Sequence, residues 1–257
     1  MTLNQMWVAY MTIVRKETGR FLRIWPQTLL PSVITTTLYY VIFGAFIGSQ
    51  IQAIGGFTYI QFIVPGLVMM AVITNSFSNV ASSFFGAKFQ KQIEELLVAP
   101  VSPFVVVAGY VTGGLLRGLL TGALVLGVAL FFTHLTMHSI FLTVAFIFLT
   151  ALLFSLAGMV NAIYAKKFDG ISIVSVFVLT PLTYLGGVFY SVTMLPPFWQ
   201  KVSALNPILY MVNGFRYGLL GISDVNVTGS FIILVILSGV MLGLTMYLFK
   251  TGRGLRT

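Results

Sequence analysis

Apolar residues run along this chain in blocks too long and too unbroken for the helices of a water-soluble domain. Six blocks stand out, over residues 27–48, 59–85, 104–133, 140–164, 171–190 and 229–249. Each is long enough to cross a bilayer core as a helix, which takes about 20 residues. Polar joints carrying Gly or Pro separate them, as at residues 49–58 and 133–139. The pattern predicts an all-α, polytopic membrane protein with six transmembrane helices.

Residues 1–26 read differently, as a helix lying on the membrane ahead of a six-helix domain over residues 27–257. At about 100° per residue, Leu3, Trp7, Tyr10, Val14, Phe21 and Trp25 share one side, and Gln5, Thr12, Lys16, Arg20 and Arg23 the other. Aromatics on one face and basic residues on the opposite one suit an interfacial helix. Glu17 falls near the edge of the apolar face. It is expected either to pair with a basic residue of a neighbouring segment or to reach the headgroups.

Composition narrows the function classes. Hydrophobic residues make up 58%, charged residues 7%, and mean hydropathy is +1.01, where a soluble domain carries about 25% charged residues. Little chain is left for a water-soluble domain, so soluble chemistry must come from another protein. The net charge of +9 does not indicate nucleic acid, because the basic residues sit at span ends rather than on one polar face. Instead it orients the chain. With the N-terminus in the cytoplasm, Arg15, Lys16, Arg20, Arg23, Lys88, Lys91, Lys166, Lys167, Lys250, Arg253 and Arg256 lie inside, and only Lys201 and Arg216 outside. That asymmetry places both termini in the cytoplasm.

No cysteine is present, which removes disulfides and thiolate metal sites. His134 and His138 are spaced i, i+4 in a joint without further ligands, so no metal site is expected. The N-terminus does not read as a signal peptide, because its basic residues follow the apolar ones.

The predicted spans hold no Asp or Glu: Glu17, Glu94, Glu95, Asp169 and Asp224 all fall outside them. This argues against a proton-coupled carrier, which needs a titratable group at membrane depth. The chain also lacks a GxxxxGK[ST] phosphate loop. Uphill transport would therefore draw its energy from a partner. Arg117 is the one charge within a span and must face protein or a water-filled path, since lipid exposure there costs at least about 2.5 kcal/mol. It contacts either an anionic substrate group or a structural partner such as Asn161, a backbone carbonyl or a helix C-terminus. Gly114, Gly118 and Gly122 repeat every four residues around it, a helix-packing face. Asn75, Ser78, Asn79 and Ser82 form a polar stripe in the second block that serves as interhelical glue, a homodimer contact or part of a transport path.

Two joints are unusual. Residues 191–228 contain Pro196, Pro197, Trp199 and Pro207 and then a half-apolar run. Short re-entrant or interfacial helices on the outer side fit this stretch, their irregular backbone shielded by protein. Residues 88–103, KFQKQIEELLVAPVSP, collect two of the five acids in the chain. Phe89, Ile93, Leu96 and Leu97 follow i, i+4, i+7, i+8 on one face, with Lys88, Lys91, Glu94 and Glu95 on the other. Acids add little to topology, so Glu94 and Glu95 point to a contact surface for a soluble partner.

The segments IEELLVAPVSP (93–103) and GGVFYSVTMLPPFWQKVSALNPILYMVNGFRYGLLG (186–221) together resemble the exporter-type ABC permeases of the second class, which serve drugs, polysaccharides and lipids. The order of parts matches over nearly the whole chain. The resemblance implies an inner-membrane permease subunit that forms a homodimer among membrane lipids and binds two copies of a cytoplasmic ABC ATPase. ATP and Mg would be held by that ATPase, and no cofactor by this chain. It further implies a coupling helix at residues 88–97 seated on the ATPase, with the N-terminal helix and Glu17 beside it. Short helices at residues 194–220 would form an outer gate bearing Pro196, Pro197, Asn206, Pro207 and Arg216. The rival expectations are a stand-alone secondary transporter or channel, which sodium coupling through amides and hydroxyls permits, and a membrane assembly factor.

Overall fold

The computed structural model describes residues 2–51 and 53–254, with the side chains of Ala45, Ser49 and Leu97 outside that description. Among the described residues the regular elements are helical, apart from one isolated bridge between Ile54 and Phe57. Helix α1 covers Leu3–Arg23, followed by the short helices α2 (Trp25–Thr28) and α3 (Leu30–Tyr39). The long helices α4 (Tyr59–Phe89), α6 (Pro103–Ala129) and α7 (Ile140–Tyr164) come next, with α5 (Gln92–Val98) between α4 and α6. Helices α8 (Phe168–Val174) and α9 (Thr180–Leu185) are joined by a π turn, Ser175–Leu179. The short α10 (Pro197–Ala204) and α11 (Pro207–Leu220) lead to the last long helix, α12 (Val227–Thr251).

Local chemistry sets these ends. Asn226 caps α12 by accepting from the Gly229 amide at 2.8 Å, and Ser139 caps α7 by accepting from Leu142. Pro103 and Pro207 occupy first-turn positions, where no amide hydrogen is needed. Gly221 ends α11 with φ 77°, a left-handed conformation open to glycine.

Among the described residues five segments are long and apolar enough to cross a membrane: α4, α6, α7, the run Phe168–Leu185 and α12. The first expected block, residues 27–48, is apolar but is not one continuous helix. Pro26 and Pro31 sit in the first turns of α2 and α3, so the chain restarts a helix at each. From Tyr40 to Ile47 the coil then widens to π geometry. Pro181 has a similar effect in the fifth block: the π turn precedes it, and the Thr180 amide reaches back to the Ser175 carbonyl.

Helix α4 is the axis of the fold. Its most apolar stretch is 78% buried, against 17% for Phe168–Leu185 and 22% for α12. It packs on α6, α7 and α11, and the glycines of α6 make this possible. Gly114, Gly118 and Gly122 lie against Ser76, Val72 and Val80 of α4, and a Cβ on Gly118 would overlap the Ser76 side chain. A second pair on α6, Gly109 and Gly113, receives Ile13 and Glu17 of α1. Where lipid surrounds the helices, such close packing and interhelical hydrogen bonds hold them together in place of water exclusion.

Helix α1 meets α6 through Ile13 and Glu17, which with Phe21 are its buried residues. The expected apolar side is therefore only partly the packed one, since Leu3, Trp7 and Trp25 remain more than half exposed. Arg20, assigned by periodicity to the polar outer side, turns inward beside Glu17.

Candidate functional site

The charged joint after α4 folds as two helices rather than one. Helix α4 ends at Phe89, Lys91 takes a left-handed conformation (φ 61°), and α5 starts at Gln92. Lys91 is the one non-glycine residue with positive φ among the described residues. This break corrects the continuous apolar face expected from Phe89 through Leu97. The Phe89 ring lies on Phe85 and Phe168, with centroids 6.1 and 5.2 Å away. Ile93 instead enters a core with Phe84, Phe85, Val106 and Tyr110, and Leu96 packs beside it. Leu97's side chain lies outside the described residues. Glu94 and Glu95 are exposed. Helix α5 is thus fastened to the helix bundle at Ile93 and shows its carboxylates outward.

Lys88 does not share that outward face. Its Nζ donates to the carbonyls of Ile163 at 2.6 Å and Ala165 at 3.2 Å. Those groups lie at the end of α7, where the helix leaves carbonyls without internal partners and a cation is favoured.

A buried polar network links α1, α2, α4 and α6. Glu17 is fully buried, accepts from Ser83 Oγ at 2.6 Å and pairs with Arg20 at 3.4 Å. In this conformation its carboxylate lies inside the chain, away from the partner-facing surface expected for it. Arg20 also donates to the Asn79 side-chain oxygen at 2.9 Å and the Asn79 carbonyl at 3.1 Å. One turn deeper, Arg117 donates to Asn75 Oδ1 at 3.1 Å and to the Thr28 carbonyl at 3.0 Å, while Asn75 donates to Ser32 Oγ at 2.8 Å. Arg117 therefore has a structural partner, but not Asn161, whose amide donates to the Ile171 carbonyl at 3.3 Å.

The polar stripe of α4 divides accordingly. Asn75 and Asn79 are buried and bind α1, α3 and α6 through side chains, whereas Ser82 is exposed and Ser78 half-buried. Thr74 continues the open side and faces Ser175, Thr180 and Tyr184 across a cleft of about 220 Å³. Thr74 and Ser175 were not singled out in the sequence, although Thr74 lies four residues before Ser78 and extends the same stripe.

The expected outer-loop residues form a second constellation. Pro197 and Pro207 start α10 and α11, and Pro196 precedes the former, its carbonyl accepting from the Gln200 amide at 3.1 Å. Asn206 accepts from the Ile208 amide at 3.0 Å and donates to the Leu182 carbonyl at 2.6 Å, tying α11 to α9. Arg216 is buried, donates to the Gly187 carbonyl at 2.6 Å, lies 3.9 Å from the Phe62 ring centroid and stands 4.0 Å from Asp224. Burial lowers its guanidinium to about 10, and Asp224 acts in the opposite direction. Asp224 also accepts from Ser191 Oγ at 2.7 Å and the Val192 amide at 2.9 Å. Its role was missed in the sequence, yet a buried arginine requires an acceptor and Asp224 is the acid nearest to it along the chain.

His138 stacks edge-on with Tyr217 at 5.1 Å, and the His134 carbonyl accepts from Gln61 at 2.9 Å. Among the described residues no group of three His, Asp or Glu side chains is placed to hold a metal ion.

Comparison with known proteins gives this arrangement a family. Residues 8–220 match the family described as ABC-2 type transporter. The chain is 59% identical over 251 residues, 98% of each chain, to the inner membrane transport permease YadH of Escherichia coli (strain K12). It is 24% identical over 216 residues to nodulation protein J of Neorhizobium galegae, covering 84% of this chain and 81% of that one. The chain therefore belongs to the ABC-2 type transporter family, as a membrane permease subunit of an ABC transporter.

Proposed function

We propose that the chain forms the translocation path of an ATP-driven exporter in the bacterial inner membrane, working as a homodimer on two copies of a cytoplasmic ABC ATPase. The observation that carries this reading is the pose of α5: Ile93 anchors it to the bundle while Glu94 and Glu95 stand exposed. A short helix fixed on its inner side and charged on its outer side suits the transfer of motion from a soluble motor. ATP and Mg belong to the ATPase in this reading.

The segmented stretch over residues 25–50 is the first of six spans, which leaves both termini on the cytoplasmic side, as the basic residues favour. Helix α1 lies at that interface. Helices α10 and α11 are the short outer elements that close the opposite end. The thinly covered run Phe168–Leu185, 17% buried, supports a second copy against this side. The open hydroxyls of Thr74, Ser78 and Ser82 then border the path, an assignment that polar groups at membrane depth support.

The test is co-expression with the cognate ATPase. The purified chain alone shows no ATP hydrolysis, and the complex shows hydrolysis that E94K/E95K reduces at least tenfold without loss of the folded permease. An E94K/E95K complex with wild-type assembly and hydrolysis would remove α5 from the coupling role.

A further inference from the structure

A cleft of about 470 Å³ opens at the lysine-bearing end of the spans, between the end of α4, the end of α7 and Gly254. Lys88, Lys91 and Lys166 line it with Phe85, Phe89 and Ile163, and no acid is among its lining residues. The coupling role proposed for α5 rests on Glu94 and Glu95, which do not line this cleft. Lys88 is held there by the Ile163 and Ala165 carbonyls, whereas Lys91 and Lys166 are exposed, with no hydrogen bond or ion pair from either Nζ among the described residues. Three lysines bordering one cleft make it electropositive, a place suited to an anion.

Lys91 adds an independent observation. It occupies the left-handed position after α4, φ 61°, where glycine is the favoured residue and a side chain costs conformational energy. A lysine kept in that conformation brings a charge to the cleft at the expense of local stability. Departures from local preference of this kind mark functional positions.

Depth identifies the anion. The cleft lies where two spans, α4 and α7, end, and its rim carries exposed Phe89 and Tyr164, aromatics typical of the headgroup level. We infer that the cleft binds the phosphate of an anionic phospholipid, with the headgroup among the three lysines and the acyl chains left in the bilayer. Basic pockets between span ends on the cytoplasmic side hold such headgroups. The site adjoins Lys91 and so the start of α5, and a bound lipid would steady the turn on which α5 pivots. This inference rests on the membrane placement of the chain but not on its ATPase partner, so its test omits the ATPase.

The experiment is native mass spectrometry of the purified permease in detergent with added phosphatidylglycerol or phosphatidylcholine. Wild type should retain phosphatidylglycerol selectively, and K91Q/K166Q should lose about thirtyfold in retention, at about fivefold per lysine. K91G should lose about fivefold while its melting temperature holds or rises, which separates loss of the charge from loss of the fold. Equal retention of both lipids, or unchanged retention by K91Q/K166Q, overturns the inference. Displacement by inorganic phosphate at the lipid's own concentration would show a free-phosphate site instead. E94K/E95K should retain lipid like wild type, so a failed coupling assignment leaves this result readable.

Discussion

Arg117 donates to the Asn75 side-chain oxygen at 3.1 Å, so the one charge inside a predicted span is tied to the neighbouring helix rather than left to face lipid. The same guanidinium reaches the Thr28 carbonyl at the end of α2. With Arg20 on Asn79, two arginines fasten the N-terminal segments to two asparagines one turn apart on α4. These bonds join the N-terminal helices to α4, the helix that leads into α5.

Removing the acceptor should cost more than removing both partners. Asn75→Ala leaves the Arg117 charge with one carbonyl and is expected to destabilise by about 1–3 kcal/mol. The double variant R117L/N75L should lose less than the sum of its single variants. Thermal unfolding of the four proteins of this cycle in detergent reads the coupling directly, and strict additivity would mean that the bond contributes nothing.

The glycine face of α6 allows a rescue experiment. Gly118→Ala places a Cβ into the Ser76 side chain, and overpacking of this kind costs about 1–3 kcal/mol. Among the described residues Ser76 Oγ has no hydrogen-bond partner, so Ser76→Ala alone should be close to neutral. Combined with G118A it should restore part of the lost melting temperature. No recovery in the double variant would argue that another neighbour sets the spacing.

Glu17 is expected to act as a buried acceptor. Glu17→Gln retains an oxygen for Ser83 and loses only the charge on Arg20, costing about 1 kcal/mol. Glu17→Ala strands both groups and should cost about 2–3 kcal/mol. Limited proteolysis of α1 in the two variants would rank them. Equal cleavage would place the importance of this site in packing against Gly113 rather than in hydrogen bonding.

Because the chain has no cysteine, the proposed homodimer can be mapped with single introduced thiols. T74C and V176C, on the cleft side of α4 and the run Phe168–Leu185, should form disulfide-linked dimers in native membranes. V240C on α12, where Val240 is 61% exposed, should stay monomeric under the same oxidant. The reverse pattern would move the dimer contact to α12.

Several features were open to reading from the chain alone because they are averages or short-range rules. Blocks of apolar residues predict helices that cross a bilayer, and five of the six coincide with long apolar helical segments. The glycines at 114, 118 and 122 predict a close helix contact, since small side chains at one face permit little else. The first block illustrates the limit of averaging. Its hydropathy is that of a span, but Pro26 and Pro31 restart the coil, and the π geometry after Tyr40 depends on how neighbouring residues pack.

By itself the sequence determined that this is a helical membrane protein, where its charged joint lies and which glycines face another helix. Tertiary structure alone decided the partners of the charges: Glu17 with Ser83, Arg20 with Asn79, Arg117 with Asn75, and Lys88 with the carbonyls ending α7. It also decided that Lys91 breaks the joint, so that Ile93 turns into the core while Glu94 and Glu95 turn out. The physical reason is that hydropathy depends on composition along one helix, which a linear pattern records. A hydrogen bond depends on the rotation and separation of two helices, which residues distant in the chain set together.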